Sequence, residues 1–331
     1  MSVFIHTSLR QKSFSSQLLY CMANIFKVLS RGLATTSTAM SSINVVTVVG
    51  AGIMGSGIAQ IVAQNGKKVT LVDVNKDVLQ KATKNIENSL HRVAKKLHKD
   101  DAAKAEQTVK SALENLSFSS DLHDSVKKTD LVIEAIVERL NAKQTLFATI
   151  DSVAPKHTIF ATNTSSLPVT EIGSVINRKD RFGGLHFFNP VPVMKLVEVV
   201  RTDETSDETY KQMMAWGRSI GKTCITCKDT PGFVVNRLLV PQLGEAIRLL
   251  ERGVASARDI DIAMKLGAGH PMGPFELADY VGLDTTKYIL DGWHQIYPNV
   301  EIFDPIETLN KLVAQGKLGV KSGEGFYNYK K

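Results

Sequence analysis

The sequence predicts an α/β fold: a doubly wound, mostly parallel sheet followed by an all-α C-terminal domain. Two observations carry this expectation. Between residues 44 and 228, short apolar runs rich in Val and Ile alternate with helical periodicities, and strands that are apolar along nearly their whole length belong to a sheet covered on both faces. At Asp229-Thr230-Pro231-Gly232 the alternation stops and one helical segment follows another. A change of that kind marks a domain boundary.

Element by element, residues 44 to 50 form the first strand, 53 to 65 a helix stopped by Gly66, and 68 to 73 a second strand. A helical crossover makes the two strands parallel. Residues 76 to 99 set Leu79, Ala82, Ile86, Leu90, Val93 and Leu97 at steps of three and four, the stripe of a long amphipathic helix. Further strands read at 130 to 136, 158 to 163, 181 to 188 and 195 to 200. After the boundary, helices read at 233 to 252, 256 to 266 and 284 to 296, separated by turns such as residues 267 to 274. The expected organisation is a leader over 1–43, an α/β domain over 44–228 and a helical domain over 229–331.

The leader is a matter of composition. Residues 1 to 44 hold four basic side chains (Arg10, Lys12, Lys27, Arg31), nine serines and no acid, as organellar transit peptides do. The chain carries +7 overall, but without that segment 36 basic residues face 33 acidic ones, a net +3. Most of the apparent basicity thus sits in a segment expected to be removed, and no pattern of surface aromatics and arginines supports nucleic-acid binding. No apolar run approaches the roughly 20 residues of a membrane span. Cys224 and Cys227 form a lone C-x-x-C on a strand, where residues three apart point to opposite faces. No second ligand pair follows, so no metal site is expected.

Gly50-x-Gly52-x-x-Gly55 follows the first strand, opens a helix, and leads to a second strand ending in Asp73. In that context the glycines are a dinucleotide-binding turn of the Rossmann type. Gly50 permits the tight turn, Gly52 lets the backbone approach a pyrophosphate, and Gly55 lets helix and strand pack closely. Ile53 and Met54 begin the helix whose free N–H groups face the phosphates. Asp73 would accept hydrogen bonds from ribose hydroxyls and repel a 2′-phosphate, which predicts NAD as cofactor.

In residues 195 to 200, Glu198 shares a strand face with Leu196 and Val200. A carboxylate on a buried face calls for a partner, and His186 on the neighbouring strand is the available one. Held by Glu198 through one ring nitrogen, the imidazole keeps the other free to exchange a proton, as a general base must. Oxidation of an alcohol needs such a base, because the hydroxyl proton leaves as hydride departs.

Four stretches carry a resemblance: Asn163-Thr-Ser-Ser166, residues 186 to 194, residues 228 to 237, and Gly323-Glu-Gly-Phe-Tyr327. Together they resemble the L-3-hydroxyacyl-CoA dehydrogenases of mitochondrial fatty-acid β-oxidation, over residues 45 to 331. The resemblance implies that His186 is the catalytic base and Glu198 its partner. It also implies that Ser165 and Asn236 contact the substrate oxygen or order the site, that Glu138, Lys143, Asn189 and Lys321 surround NAD, and that Ser89 and Lys96 meet coenzyme A. A homodimer formed through the helical domain and a mitochondrial-matrix location come with it. The acyl-CoA substrate has support from the residues themselves: positions 76 to 99 hold seven bases against two acids, with Ser89, Arg92 and Lys96 on one helix face. An ordinary solvated face reads the same charges equally well. Two other readings stand beside this one, a dehydrogenase of free hydroxy acids, similar to a lens crystallin relative, and a catalytically silent NAD-binding protein.

Overall fold

The computed structural model describes residues 43–330. The expected leader therefore lies outside the described residues except for Ile43, which is buried, so the folded core reaches one residue into the span assigned to the leader.

Eight strands form one sheet: β1 (Val45–Val49), β2 (Lys68–Val72), β3 (Leu116–Ser119), β4 (Leu131–Glu134), β5 (Ile159–Thr162), β6 (Phe182–Phe187), β7 (Leu196–Arg201) and β8 (Thr223–Lys228). Their order is β3-β2-β1-β4-β5-β6-β7-β8. The first six run parallel, β7 pairs antiparallel with β6, and β8 pairs parallel with β7. The order reverses between β1 and β4, and the crevice outside the strand ends at such a point is where an open α/β sheet holds ligands.

Helices α1 (Ile53–Gln64), α2 (Lys76–Leu97), α3 (Ala102–Leu113), α4 (Leu122–Val126), α5 (Leu140–Asp151), α6 (Val169–Gly173) and α7 (Asp207–Ser219) cover both faces. On one side Ile58, Val62, Leu79, Leu90, Val109 and Trp216 share a core with the sheet. On the other, Val126, Phe147, Ile150, Val169 and Ile172 do so. A third core, around Leu243, Phe275, Leu290, Trp293 and Phe303, belongs to α8 (Val235–Glu251), α9 (Ala257–Gly267), α10 (Pro274–Val281), α11 (Leu283–Ile296) and α12 (Glu307–Ala314).

The long helix departs from its expected stripe. Asn75 caps it, its Oδ1 accepting from the N–H groups of Asp77 at 2.9 Å and Val78 at 3.3 Å. Leu79, Ala82, Ile86 and Leu90 are buried as expected, but the next buried residue is Ala94. Val93 is half-buried and Leu97 is 68% exposed. At 3.6 residues per turn Leu97, seven positions on from Leu90, keeps to the same face, so its exposure means that the last turn of the helix runs past the core. The helix α3, the edge strand β3, and α10 and α12 are additional to the sequence reading. Strand β3 is four residues long and nowhere fully buried, so it carries almost no apolar pattern.

The last residues are held by two buried carboxylates. Asp279 accepts from the N–H groups of Phe326 and Tyr327, both at 2.9 Å, and from the Tyr329 hydroxyl at 3.0 Å. Asp261 accepts from the Tyr327 hydroxyl at 2.7 Å. The Gly323-Glu-Gly-Phe-Tyr327 run is glycine at 325 because a Cβ there would lie 2.0 Å from the Asp279 carboxylate.

On β8 the two cysteines diverge, Cys224 against the first core and Cys227 against the second, so they cannot share an ion. Burial pushes the Cys224 thiol from 9.0 to about 11 and the Cys227 thiol to about 12. Burial and hydrogen bonds to Asp261 and Asp279 likewise raise Tyr327 and Tyr329. Acids with raised folded-state pKa values favour the fold below their unfolded pKa and lose that contribution as pH climbs through the folded one. We therefore expect urea midpoints to fall steadily above pH 9 for a chain beginning at Ser41. Iodoacetamide should label its two thiols at pH 8 only on unfolding; rapid labelling of the native protein would contradict the assignment.

Candidate active site

The glycine turn closes β1 onto α1. Gly50 has φ +104°, and a Cβ there would lie 2.4 Å from the Ala135 carbonyl oxygen. At Gly55 it would lie 1.7 Å from the Gly50 carbonyl oxygen, whereas at Gly52 nothing stands within 4 Å. The first and third glycines are thus required by packing, and the second leaves open space on the ligand side. Gly52 caps α1, with Ile53 exposed and Met54 half-buried in its first turn. Asp73, just past β2, accepts from Ala51 N–H and Asn75 N–H, each at 2.9 Å, and its carboxylate borders a cavity of about 600 Å³ lined also by Gly50, Gly52, Val74, Ile136 and Val137. Shape, an open helix N-terminus and one acid at the rim fit a dinucleotide.

His186 and Glu198 are direct partners across the antiparallel β6–β7 pair. His186 Nδ1 lies 2.7 Å from Glu198 Oε2, and both side chains are buried. A carboxylate accepts, so Nδ1 carries the proton and Nε2 presents a lone pair. The Ser165 hydroxyl lies 3.1 Å from that Nε2. Phe188 and Phe233 flank the imidazole, with ring centroids 4.6 and 5.5 Å away. The second oxygen of Glu198 accepts from Val234 N–H at 3.1 Å and Val235 N–H at 2.8 Å. Those two groups open α8, so the positive end of a helix faces the carboxylate. Asn236, half-buried, follows one residue later in the first turn.

Ser165 sits on the loop after β5, and two acids hold that loop. Glu138 accepts from the N–H groups of Ser165 at 3.0 Å and Ser166 at 3.3 Å, and from the hydroxyls of Thr164 and Ser166. Lys143 is buried between Glu138 at 3.0 Å and Glu134 at 2.6 Å. Burial works to raise the Glu138 carboxyl, but the Lys143 ammonium and the Thr164 hydroxyl bring it below the usual carboxylate range. Asn163 Oδ1 accepts from Phe187 N–H at 2.9 Å, tying the loop to the strand of His186.

Of the other expected residues, Asn189 is exposed and lines, with Ser89, Lys81 and Pro190, a second cavity of about 400 Å³ between α1 and α2. Lys96 and Arg92 are exposed on α2, and neither has an acid partner among the described residues. Lys321 pairs with Asp284 at 2.6 Å within the helical domain. The sequence reading passed over Glu134, Thr162, Phe233 and the N–H groups of Val234 and Val235. An acid inside an apolar strand was the available signal for Glu134; backbone donors leave none.

A family model described as the NAD binding domain of 3-hydroxyacyl-CoA dehydrogenase matches residues 45–230, and one described as its C-terminal domain matches residues 232–329. The chain belongs to the 3-hydroxyacyl-CoA dehydrogenase family. It is 59% identical over 300 residues to a probable 3-hydroxyacyl-CoA dehydrogenase of Caenorhabditis elegans, covering 91% of this chain and 97% of that one. With the mitochondrial hydroxyacyl-coenzyme A dehydrogenase of Homo sapiens it shares 53% over 314 residues, covering 93% and 100%. The crystal structure of an (S)-3-hydroxybutyryl-CoA dehydrogenase from Ralstonia eutropha superposes with a TM-score of 0.83 at 42% identity, covering 88% of this chain and 100% of the other. As a 3-hydroxyacyl-CoA dehydrogenase the chain is an NAD-dependent oxidoreductase, and the catalytically silent reading is set aside.

The three glycines should respond differently to a methyl group. Gly55→Ala should destabilise the ligand-free protein by about 2 kcal/mol or more, since backbone must move to admit it. Gly52→Ala should leave ligand-free stability within about 0.5 kcal/mol yet weaken NADH about tenfold or more by obstructing the pyrophosphate path. Thermal melts and NADH fluorescence titration read both, and equal NADH affinity for Gly52→Ala and wild type would place the cofactor elsewhere.

Proposed function

We propose that this enzyme oxidises the 3-hydroxyl of an L-3-hydroxyacyl-CoA reversibly, with His186 as general base. One observation carries the reading: Glu198 holds Nδ1 of His186, so the unprotonated Nε2 points at a hydroxyl, that of Ser165, 3.1 Å away. A substrate hydroxyl meeting Nε2 gives up its proton there, and the buried carboxylate stabilises the imidazolium that forms. Ser165 and Asn236, uncharged hydrogen-bonding groups, steady the partial charge on the substrate oxygen. Bound NAD supplies the hydride acceptor. Residues Gly50, Gly52, Ile53, Met54, Gly55 and Asp73 would hold it, with Glu138 and Asn189 nearer the reacting end. Phe188 and Phe233 keep water from the imidazole.

The thioester enters along α2. Ser89 lines the cavity beside Asn189, and Arg92 and Lys96 stand unpaired among the described residues on the same helix, a field suited to a phosphorylated carrier. Residues 1–43 as a transit peptide, a matrix location and a homodimer through the helical domain complete the proposal. Exposed Leu238, Leu266, Tyr280 and Tyr288 on that domain support the last of these.

NADH oxidation with acetoacetyl-CoA, set against free acetoacetate, tests the substrate class; equal turnover of the free acid would favour a hydroxy-acid dehydrogenase. We expect His186→Gln to lower kcat by about 10² to 10⁴. Glu198→Gln should lose turnover with little change in NADH affinity, because an amide facing Nδ1 favours the tautomer that cannot accept a proton. A selective loss of NADH binding would place Glu198 in the wrong role. For the double substitution Arg92→Ala with Lys96→Ala, KM for acetoacetyl-CoA should rise about tenfold at low salt while an acetoacetyl-pantetheine thioester, lacking the nucleotide, is unaffected. The same rise with both substrates would remove α2 from nucleotide recognition.

A further inference from the structure

We infer that Glu134 is a positioning residue for the reaction, acting through Lys143 and Thr162 on the loop that carries Ser165. The inference rests on the reading of His186 and Ser165 proposed above.

Glu134 ends β4 with no exposed surface, and Lys143 beside it is 1% exposed. Burying this pair costs several kcal/mol unless every lone pair and proton is used. Both oxygens of Glu134 are engaged, and Lys143 meets two carboxylates. Glu134 Oε1 accepts from Lys143 Nζ at 2.6 Å and from Ile136 N–H at 2.7 Å. Its Oε2 accepts from the Thr162 hydroxyl at 2.6 Å, whose oxygen in turn accepts from Thr164 N–H at 3.2 Å. Lys143 passes the arrangement on to Glu138 at 3.0 Å, and Glu138 holds the N–H of Ser165 at 3.0 Å. Residues 162–166 are therefore fixed from two sides by carboxylates that share a single ammonium.

Held by both acids, the Lys143 ammonium sets the separation of Glu134 and Glu138. Glu134 reaches neither cavity. What it governs is where the Ser165 hydroxyl sits relative to His186 Nε2, a 3.1 Å contact. An error of about 1 Å at a reacting group costs on the order of 10²-fold in rate.

Glu134→Gln, Thr162→Val and Ser165→Ala, alone and in pairs with Ser165→Ala, make the test, with kcat, KM for acetoacetyl-CoA and the NADH dissociation constant measured for each. Thr162→Val keeps its shape and deletes only the hydroxyl between Glu134 and Thr164, so it decides the matter if Glu134→Gln fails to fold. Each of the two should lower kcat about tenfold or more with the NADH dissociation constant within about twofold of wild type. Combined with Ser165→Ala, the losses should fall well short of multiplying. If Ser165→Ala is impaired and the losses multiply, or if NADH binding falls and kcat does not, Glu134 has no positioning role. Unimpaired Ser165→Ala would overturn the reading of the site and this inference with it.

Discussion

Much of this site depends on one carboxylate closed off from the protein surface. Glu198 lies on β7, one strand in from the edge of the sheet, with no exposed surface, and there an unpaired charge is not tolerated. One oxygen takes the imidazole proton of His186, and the other takes the first two N–H groups of α8. The first bond sets a tautomer. The second ties the sheet to the opening helix of the C-terminal part of the chain, so the imidazole and that helix are located by the same group. The turn that delivers those N–H groups is costly: Phe233 has φ 51° and Gly232 φ 75°, and a non-glycine residue in that region costs on the order of 1 kcal/mol. A Cβ on Gly232 would also lie 2.5 Å from the Trp293 ring. Backbone strain beside a buried charge is what a chain accepts when the geometry must be single-valued.

The same principle recurs in the loop after β5. Glu134, Lys143 and Glu138 sit at the ends of β4 and α5 and close over residues 162–166. The crevice lies where the strand order turns back on itself, with the glycine turn on one side and the His186 strand on the other. Parallel strands from β1 to β6 direct their C-terminal ends to one edge, and the reversal of β7 is what sets Glu198 beside His186 in register. A parallel β7 would have required another crossover helix between them.

Much of the fold was legible because its signals are local. Valine-rich runs, the glycine turn and the change of pattern at 229–232 are consecutive residues whose spacing reflects backbone geometry. Where packing decided, the spacing misled: Val93 and Leu97 satisfied a step rule, yet Ala94 is the buried residue, because a helix of 22 residues meets the sheet along part of its length and α3 elsewhere. Strand β3 escaped notice because an edge strand of four half-exposed residues needs no apolar alternation.

By itself the sequence determined the α/β alternation and the helical run after it, the dinucleotide turn with its acid, and the pairing of a histidine with an inward carboxylate, because each rests on side-chain type and short-range spacing. Only the tertiary structure decided how Glu198 is shared between His186 and the start of α8, how Glu134 reaches Ser165 through a lysine, and why Lys321 lies against Asp284. Those partners are brought together across tens of residues by the fold, and several of them are backbone N–H groups. Every residue but proline carries one, so no sequence pattern distinguishes the few that matter.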